Sequence, residues 1–282
     1  MIRSSLSSYL LSISVVAYRP DPVLLERTLS TLLDSLLGLR DAAQSPDCGR
    51  LAKFYLVDNG GTEIPQVWRE RLEQVGVDFE VLRGHGNVGY GRGHNLAIER
   101  SDSVFHLVLN PDVLCQQDTL TAASELMAAY PEIGLVVPEV RGEDGSIQYL
   151  CRRYPKVLDL LLRGFAPQSI RRLFKGRLER YEMRDEYGTG ENVWGPAIVS
   201  GCFMFFRSSV LRKLAGFDPR YFLYFEDYDL SLRTAEVARI VYSPRVRIVH
   251  FGGGAARKGW LHIRLFVVSA IQFYNRFGWR WI

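Results

Sequence analysis

The run "YFLYFEDYDL" places Glu226, Asp227 and Asp229 almost side by side, directly after a series of aromatic residues. Carboxylates this close repel one another, and apolar surroundings disfavour the charged form, so both effects raise a carboxyl pKa. A carboxylate raised in this way suits a general base working near neutral pH. Capping of a helix N-terminus accounts for one such acid but hardly for three. Two further acids, Asp58 in "LVDN" and Asp112 in "LNPD", close apolar runs that read as strands. Ligands of open α/β sheets bind at the carboxyl ends of strands, so Asp58 and Asp112 are expected at one polar edge; solvated turn carboxylates are the alternative. His250 ends the strand-like "VRIVH" and precedes three glycines, where its ring could face a cleft as a ligand or serve a structural role.

The stretch "RGHGNVGYGRGHN" (Arg83–Asn95) contains G-x-G-x-x-G at Gly84, Gly86 and Gly89. A dinucleotide loop needs an apolar central strand before it and an unbroken helix after it. The preceding segment carries Asp78, Glu80 and Arg83 and reads as an edge strand. Gly91 and Gly93 would fall in the first helical turns, each costing about 1 kcal/mol relative to alanine. The first strand-to-helix turn of the chain, "YRPDP", has no glycine. A nicotinamide cofactor is not expected; the glycines serve either a surface turn or a close backbone approach to some other ligand.

The elements that must position these residues are readable from periodicity. "LLSISVVAY" (Leu10–Tyr18) is a buried strand, and Leu24, Leu25, Thr28, Leu29, Leu32, Leu33, Leu36 and Leu37 recur at helical spacing up to a stop at Gly38. Strands follow at Phe54–Gly60, Phe79–Arg83, Val104–Asp112 and "IGLVVPEV", with helices near Pro65–Val75, Asn95–Ser101 and Asp118–Tyr130. Strands alternating with helices predict a mostly parallel, Rossmann-like sheet covered on both faces. Beyond Tyr154 the alternation stops. The basic, leucine-bearing 158–185 region predicts short or irregular helices, then come strand-like "AIVSGCFMFF", two short strands ending at "RIVHFGG", and a helical end from Lys258 to Ile282. One compact unit is expected, with a nucleotide-type α/β half (1–138), a mixed half (139–256) and a C-terminal aromatic-basic helix (257–282).

With 282 residues, 47% hydrophobic and 23% charged, the chain has ordinary globular composition and length for a substantial core. A net charge of +4 is too mild to argue for a nucleic-acid partner. Cys48, Cys115, Cys151 and Cys202 are scattered without metal-ligand spacing, which predicts free buried thiols and a cytoplasmic location. The N-terminal apolar segment is interrupted by serines and runs into a strand, so it reads as mature protein. No apolar run approaches the ~20 residues of a membrane span.

Together the motifs "VVAY", "LVDNG", "NVGYGRGHN", "LNPD", "SGCFMFFRSSVLRKLAGFDPRYFLYFEDYDLSLR" and "VHFGGG" resemble the inverting glycosyltransferases of family 2, nearest the rhamnosyltransferase-like branch, over about residues 12–278. The resemblance implies the α/β A-type glycosyltransferase fold with a fused, mixed acceptor-side half. It implies that Asp58 accepts a hydrogen bond from the donor pyrimidine, with Val16, Ala17 and Tyr18 lining the base site. Asn87, Gly89, Gly93 and Asn95 would lie against the sugar and diphosphate. "LNPD" matches the family's Asp-x-Asp motif with Asn110 in place of the first acid, leaving Asp112 as the anionic ligand of a Mg²⁺ or Mn²⁺ ion, with His250 as a second ligand. Asp227 matches the catalytic base of a single displacement, and Glu226 and Asp229 would orient it or bind acceptor hydroxyls.

The implied donor is dTDP-rhamnose, with UDP- or GDP-linked sugars open. The implied acceptor is a polysaccharide, lipopolysaccharide or lipid-linked saccharide. An inactive sugar-binding module of the same fold and a nucleotidyltransferase are the competing readings; the second normally carries a glycine-rich basic loop after the first strand, which "AYRPDP" lacks. The C-terminal mixture of Trp, Phe and Tyr with Arg and Lys suits a membrane headgroup zone, so peripheral attachment at the cytoplasmic face of the inner membrane is expected, against the alternative of a helix simply packed on the domain.

Overall fold

The computed structural model describes residues 7–42, 50–63, 65–187, 190–252 and 259–282. The first half alternates as the periodicity predicts: β1 (Tyr9–Ala17), α1 (Pro22–Ala42), β2 (Arg50–Asp58), α2 (Gln66–Gln74), β3 (Val77–Leu82), α3 (Tyr90–Ile98), β4 (Ser103–Leu109), β5 (Val113–Cys115), α4 (Thr119–Ala129) and β6 (Ile133–Arg141). Short helices α5 (Val157–Phe165), α6 (Gln168–Leu173) and α7 (Lys175–Tyr181) follow. Then come β7 (Val193–Trp194), β8 (Phe203–Arg207), α8 (Ser208–Lys213), α9 (Glu226–Ala235), β9 (Arg239–His250) and α10 (Trp260–Phe277).

One nine-stranded sheet takes strands from both halves, in the order β3-β2-β1-β4-β8-β6-β9-β5, with β7 also on β9. The β3-β2-β1-β4 part is parallel. Beyond it β8 inserts antiparallel between β4 and β6, so the sheet is mixed. β3 is the edge strand that its charges predict. Where two short strands were expected near the end, β9 is one strand of twelve residues with a register shift against β6 near Pro138 and Glu139.

The two faces of β1 explain its composition. Leu11, Ile13, Val15 and Ala17 pack with the leucine stripe of α1, whereas Ser12 and Ser14 lie on the opposite face with α3. Ser14 Oγ bridges His94 Nδ1 at 2.7 Å and His106 Nε2 at 2.9 Å. Burial pushes both imidazoles down, His106 to about 3, so this is a neutral hydrogen-bonded strip. Helix α1 runs on past Gly38 to Ala42. A Cβ at Gly38 would stand 2.6 Å from the Gln117 carbonyl oxygen, so this glycine permits a close approach instead of stopping the helix. Cys115, Cys151 and Cys202 are free and buried as expected; Cys48 lies outside the described residues.

Candidate active site

The parallel strands bring the expected donor-side residues to one edge. Ala17 pairs with Asp58, and Leu109 pairs with Val15, so Tyr18, Asn59 and Asn110 leave the sheet side by side. Asp58 is buried, and its Oδ1 accepts the Thr62 N–H at 2.7 Å and the Gly60 N–H at 3.1 Å. Burial alone would raise this carboxyl. The backbone donors of Thr62, Gly60 and Gly61 and the charge of Arg83 outweigh it and hold Asp58 below its ordinary value. It is an anionic acceptor whose geometry is fixed by its own turn. A groove of ≈ 570 Å³, lined among others by Arg19, Gly60, Thr62 and Trp68, opens beside that turn. The exposed ring of Tyr18 packs over Gly60, where a Cβ would stand 2.9 Å from Tyr18 Cδ2. Val16 and Ala17 are buried beneath this edge and shape it from within.

The glycine loop corrects one expectation. Helix α3 begins at Tyr90, five residues before the expected start, and it contains Gly91 and Gly93. A Cβ on Gly93 would come within 2.8 Å of Val16 Cγ2, and one on Gly91 within 2.9 Å of Phe217 Cβ. Gly89 has φ +90°, and a Cβ there would stand 2.3 Å from the Phe222 carbonyl oxygen. Gly89 and Gly93 therefore admit the protein's own chain. Asn95, expected against the donor, uses its whole amide on Phe217: Nδ2 donates to the carbonyl at 2.7 Å and Oδ1 accepts the N–H at 2.8 Å. Asn87 is exposed, and its Oδ1 accepts the Gly89 N–H at 3.1 Å. Asn59 ties the loop to the strand edge by donating to the Gly89 carbonyl at 3.0 Å.

Opposite this edge, Tyr224 and Phe225 adopt left-handed φ values of 71° and 64° just before α9. Such angles cost of order 1–3 kcal/mol each for non-glycine residues. Phe225 is held there by packing against Tyr228, Phe266 and Phe273. The turn delivers Glu226 and Asp227 at the start of α9. Asp227 Oδ2 accepts the Gly201 N–H at 3.0 Å, and Oδ1 accepts its neighbour's N–H at 2.9 Å. The Gly201 carbonyl accepts the Tyr90 hydroxyl at 2.6 Å, and the Cys202 carbonyl accepts the Asn110 N–H at 2.9 Å. One short segment thus binds the acid of α9, the first residue of α3 and the "LNPD" turn.

The electrostatics report the same convergence. Burial raises the Tyr90 hydroxyl far above its ordinary value, and the charges of Glu226, Asp227 and Asp112 add to it. Burial also raises Asp227, against its backbone donor Gly201 and the buried Arg152 cation. Glu226 is pushed up to about 8 by burial and by the charge of Asp227. Its Oε2 has no hydrogen-bond partner among the described residues. Both carboxyls of the pair are thus shifted in the direction that favours proton uptake nearer neutral pH.

Asp112 and His250 meet as well. Val113 pairs with His250 across β5 and β9, and Nε2 of His250 lies 3.6 Å from Asp112 Oδ1. His250 Nδ1 donates to Gln148 Oε1 at 3.2 Å, and Gln148 Nε2 donates back to the His250 carbonyl at 2.9 Å. Burial lowers the His250 pKa, opposed by Asp112, so Nε2 stays a neutral acceptor turned toward the carboxylate. Oδ1 atoms of Asn110 and Asp112 are buried without partners among the described residues. Hard oxygen donors with one imidazole fit a divalent cation. Among the described residues no third His, Cys, Asp or Glu joins them, so other coordination positions would fall to a diphosphate and water.

Asp229, expected on the acceptor side, is placed elsewhere. It is fully buried, with Oδ1 on Arg233 at 2.5 Å and Oδ2 on Arg276 of α10 at 2.7 Å. It clamps α10 onto α9 and leaves no oxygen for an acceptor. Tyr90, Asn59, Arg152, Gly201 and Gln148 are the site residues that sequence reasoning missed. The first two stand inside quoted motifs, "NVGYG" and "VDNG", whereas Arg152 and Gln148 lie in a segment without a motif.

The mixed α/β sheet with its flanking helices is the A-type glycosyltransferase fold. The chain belongs to glycosyl transferase family 2, whose model matches residues 12–215. It is 29% identical over 257 residues to the N-acetylglucosaminyl-diphospho-decaprenol L-rhamnosyltransferase of Mycobacterium tuberculosis, covering 85% of this chain and 75% of that protein. It is 25% identical to rhamnosyltransferase WbbL of Escherichia coli over 59% of this chain and 62% of that one. Among solved structures it resembles S. aureus TarS 1–349 (TM-score 0.56, 13% identity, 94% of this chain and 66% of that one). It also resembles the mannosyltransferase PcManGT from Pyrobaculum calidifontis in complex with GDP-Man and Mn²⁺ (TM-score 0.57, 18% identity, 93% and 64%). The chain spans about two thirds of the length of these two structures.

Proposed function

We propose that this glycosyltransferase moves L-rhamnose from dTDP-rhamnose to a hydroxyl of a lipid-linked saccharide, inverting the anomeric centre. The observation that carries the proposal is that the Gly201–Cys202 segment binds Asp227, the Tyr90 hydroxyl and the Asn110 end of the "LNPD" turn that carries Asp112. The sugar rests on the two relatives named rhamnosyltransferases, and the acceptor class on the first of them, the N-acetylglucosaminyl-diphospho-decaprenol L-rhamnosyltransferase. Asp227 takes the proton of the acceptor hydroxyl, whose oxygen forms the new bond to the anomeric carbon. The bond from that carbon to the diphosphate oxygen breaks on the opposite face, and the nucleoside diphosphate leaves. Asp58 and Tyr18 hold the nucleotide base, and Asn87 lies toward the sugar and diphosphate. When bound at Asp112 and His250, Mg²⁺ or Mn²⁺ supplies positive charge beside the leaving diphosphate. Peripheral attachment at the cytoplasmic face of a membrane belongs to the same reading; among the described residues no helix is long and apolar enough to cross one.

A panel of dTDP-, UDP- and GDP-linked sugars, with and without Mn²⁺, tests the proposal by nucleotide release and by the anomeric configuration of the product. Metal-stimulated transfer from dTDP-rhamnose with inversion is the expected result. A retained configuration, or a clear preference for another donor, overturns the respective part.

A further inference from the structure

We propose that α5, α6 and the C-terminal tail form a docking surface for an anionic lipid bilayer. Leu160 and Leu162 of α5 are buried, whereas Leu161 (51% exposed) and Phe165 (54%) share the opposite face, four residues apart. Residues 167–176 are all exposed, and α6 has no buried residue, although it carries Ile170 and Leu173 and is followed by Phe174. Leu173 is 83% exposed. A helix that leaves Leu173 almost bare, with Ile170 and Phe174 each about two fifths exposed, is unfavourable in water but suits the headgroup–acyl boundary. The tail joins the same place: the Arg280 and Trp281 carbonyls accept the first two N–H groups of α5. That brings the stacked, exposed Trp279 and Trp281 beside it.

Charge selects the occupant. Residues 156–181 contain seven basic and two acidic side chains. Of the two acids, Asp159 is buried on Arg177, and Glu179 lies 3.7 Å from Lys175. Arg171, Arg172 and Lys175 stand exposed among the apolar residues. A second copy docked on the same face would bring these cations together, whereas anionic lipid complements them. The docking surface deepens the reading of a lipid-linked acceptor, yet it is tested without turnover, so either can fail alone.

The test is flotation of the full chain with vesicles of phosphatidylcholine alone or with about a third phosphatidylglycerol, at low and high salt. Wild type is expected to float only with the anionic vesicles, with binding reduced at high salt. Phe165→Glu/Leu173→Glu should lower the bound fraction at least ~tenfold, and Arg171→Ala/Arg172→Ala should lower it less, while both retain the wild-type melting temperature and nucleotide binding. Trp260→Glu/Leu261→Glu, on α10, should float like wild type. Three results overturn the proposal: wild type staying with the soluble fraction, loss of flotation in the α10 variant alone, or a wild-type dimer in sedimentation that Leu173→Glu splits.

Discussion

Two acids of the same type, Asp58 at the end of β2 and Asp227 at the start of α9, are held in opposite electrostatic states. Both accept two backbone N–H groups, Asp58 from Thr62 and Gly60 and Asp227 from Gly201 and Tyr228. At Asp58 the turn donors and Arg83 win over burial, and the carboxyl is held low. At Asp227 burial wins, even with Arg152 nearby, and the carboxyl is raised. The first is therefore a permanent anion suited to hold a ligand donor, and the second is a carboxylate that can take up a proton. The number of hydrogen bonds does not separate the two acids; the balance between burial and the surrounding donors and charges does.

The largest expected effect comes from removing the proton acceptor. Asp227→Asn should lower turnover at least ~100-fold while donor binding by calorimetry stays within a few-fold. Loss of binding together with turnover would erase the proposed division of labour. Asp112→Ala should lower transfer by at least ~10-fold and shift its Mn²⁺ dependence to higher concentration, because one ligand of the cation site is gone. Asp58→Asn should act on the other side of the comparison. Donor affinity should fall roughly 10-fold, the worth of a charged hydrogen bond, with turnover at saturation held. The smallest effect on chemistry is expected from the third acid of the cluster. Arg276→Ala removes one of the two partners of buried Asp229 and should lower stability by about 1–3 kcal/mol in urea unfolding. Turnover per folded molecule should stay unchanged.

How much of this was legible in the sequence depended on what each residue touches. The β1, β2 and β4 strands were plain because buried strands read as apolar runs, and their C-terminal ends located Asp58 and Asp112. The start of α3 is not legible because glycine has a low helix propensity, whereas the positions of Gly91 and Gly93 demand close contact with Phe217 and Val16. Asp229 and Asn95 stand in motifs beside site residues; Asp229 has one partner four residues on, Arg233, but its second, Arg276, and the partner of Asn95, Phe217, lie 47 and 122 positions away. Nothing local distinguishes a carboxylate that faces an acceptor from one that clamps a helix. Arg152 was hidden for a similar reason: its place beside Asp227 arises from its pairing with Ile198 and from Tyr228.

The most direct test of the central claim is the pH dependence of transfer in wild type, Glu226→Gln and Asp227→Asn. With Asp227 as the proposed base the active form is the deprotonated one, so activity should be present above its raised pKa and lost as pH falls through it. The account predicts a wild-type acid limb above the ordinary aspartate range. It predicts substantial neutral-pH activity in Glu226→Gln, which mimics the protonated partner, without the inflection near 8 that Glu226 contributes. Residual transfer by Asp227→Asn should be flat over the same range. An acid limb that persists unchanged in Asp227→Asn would contradict the account, because the titrating base would then be another group.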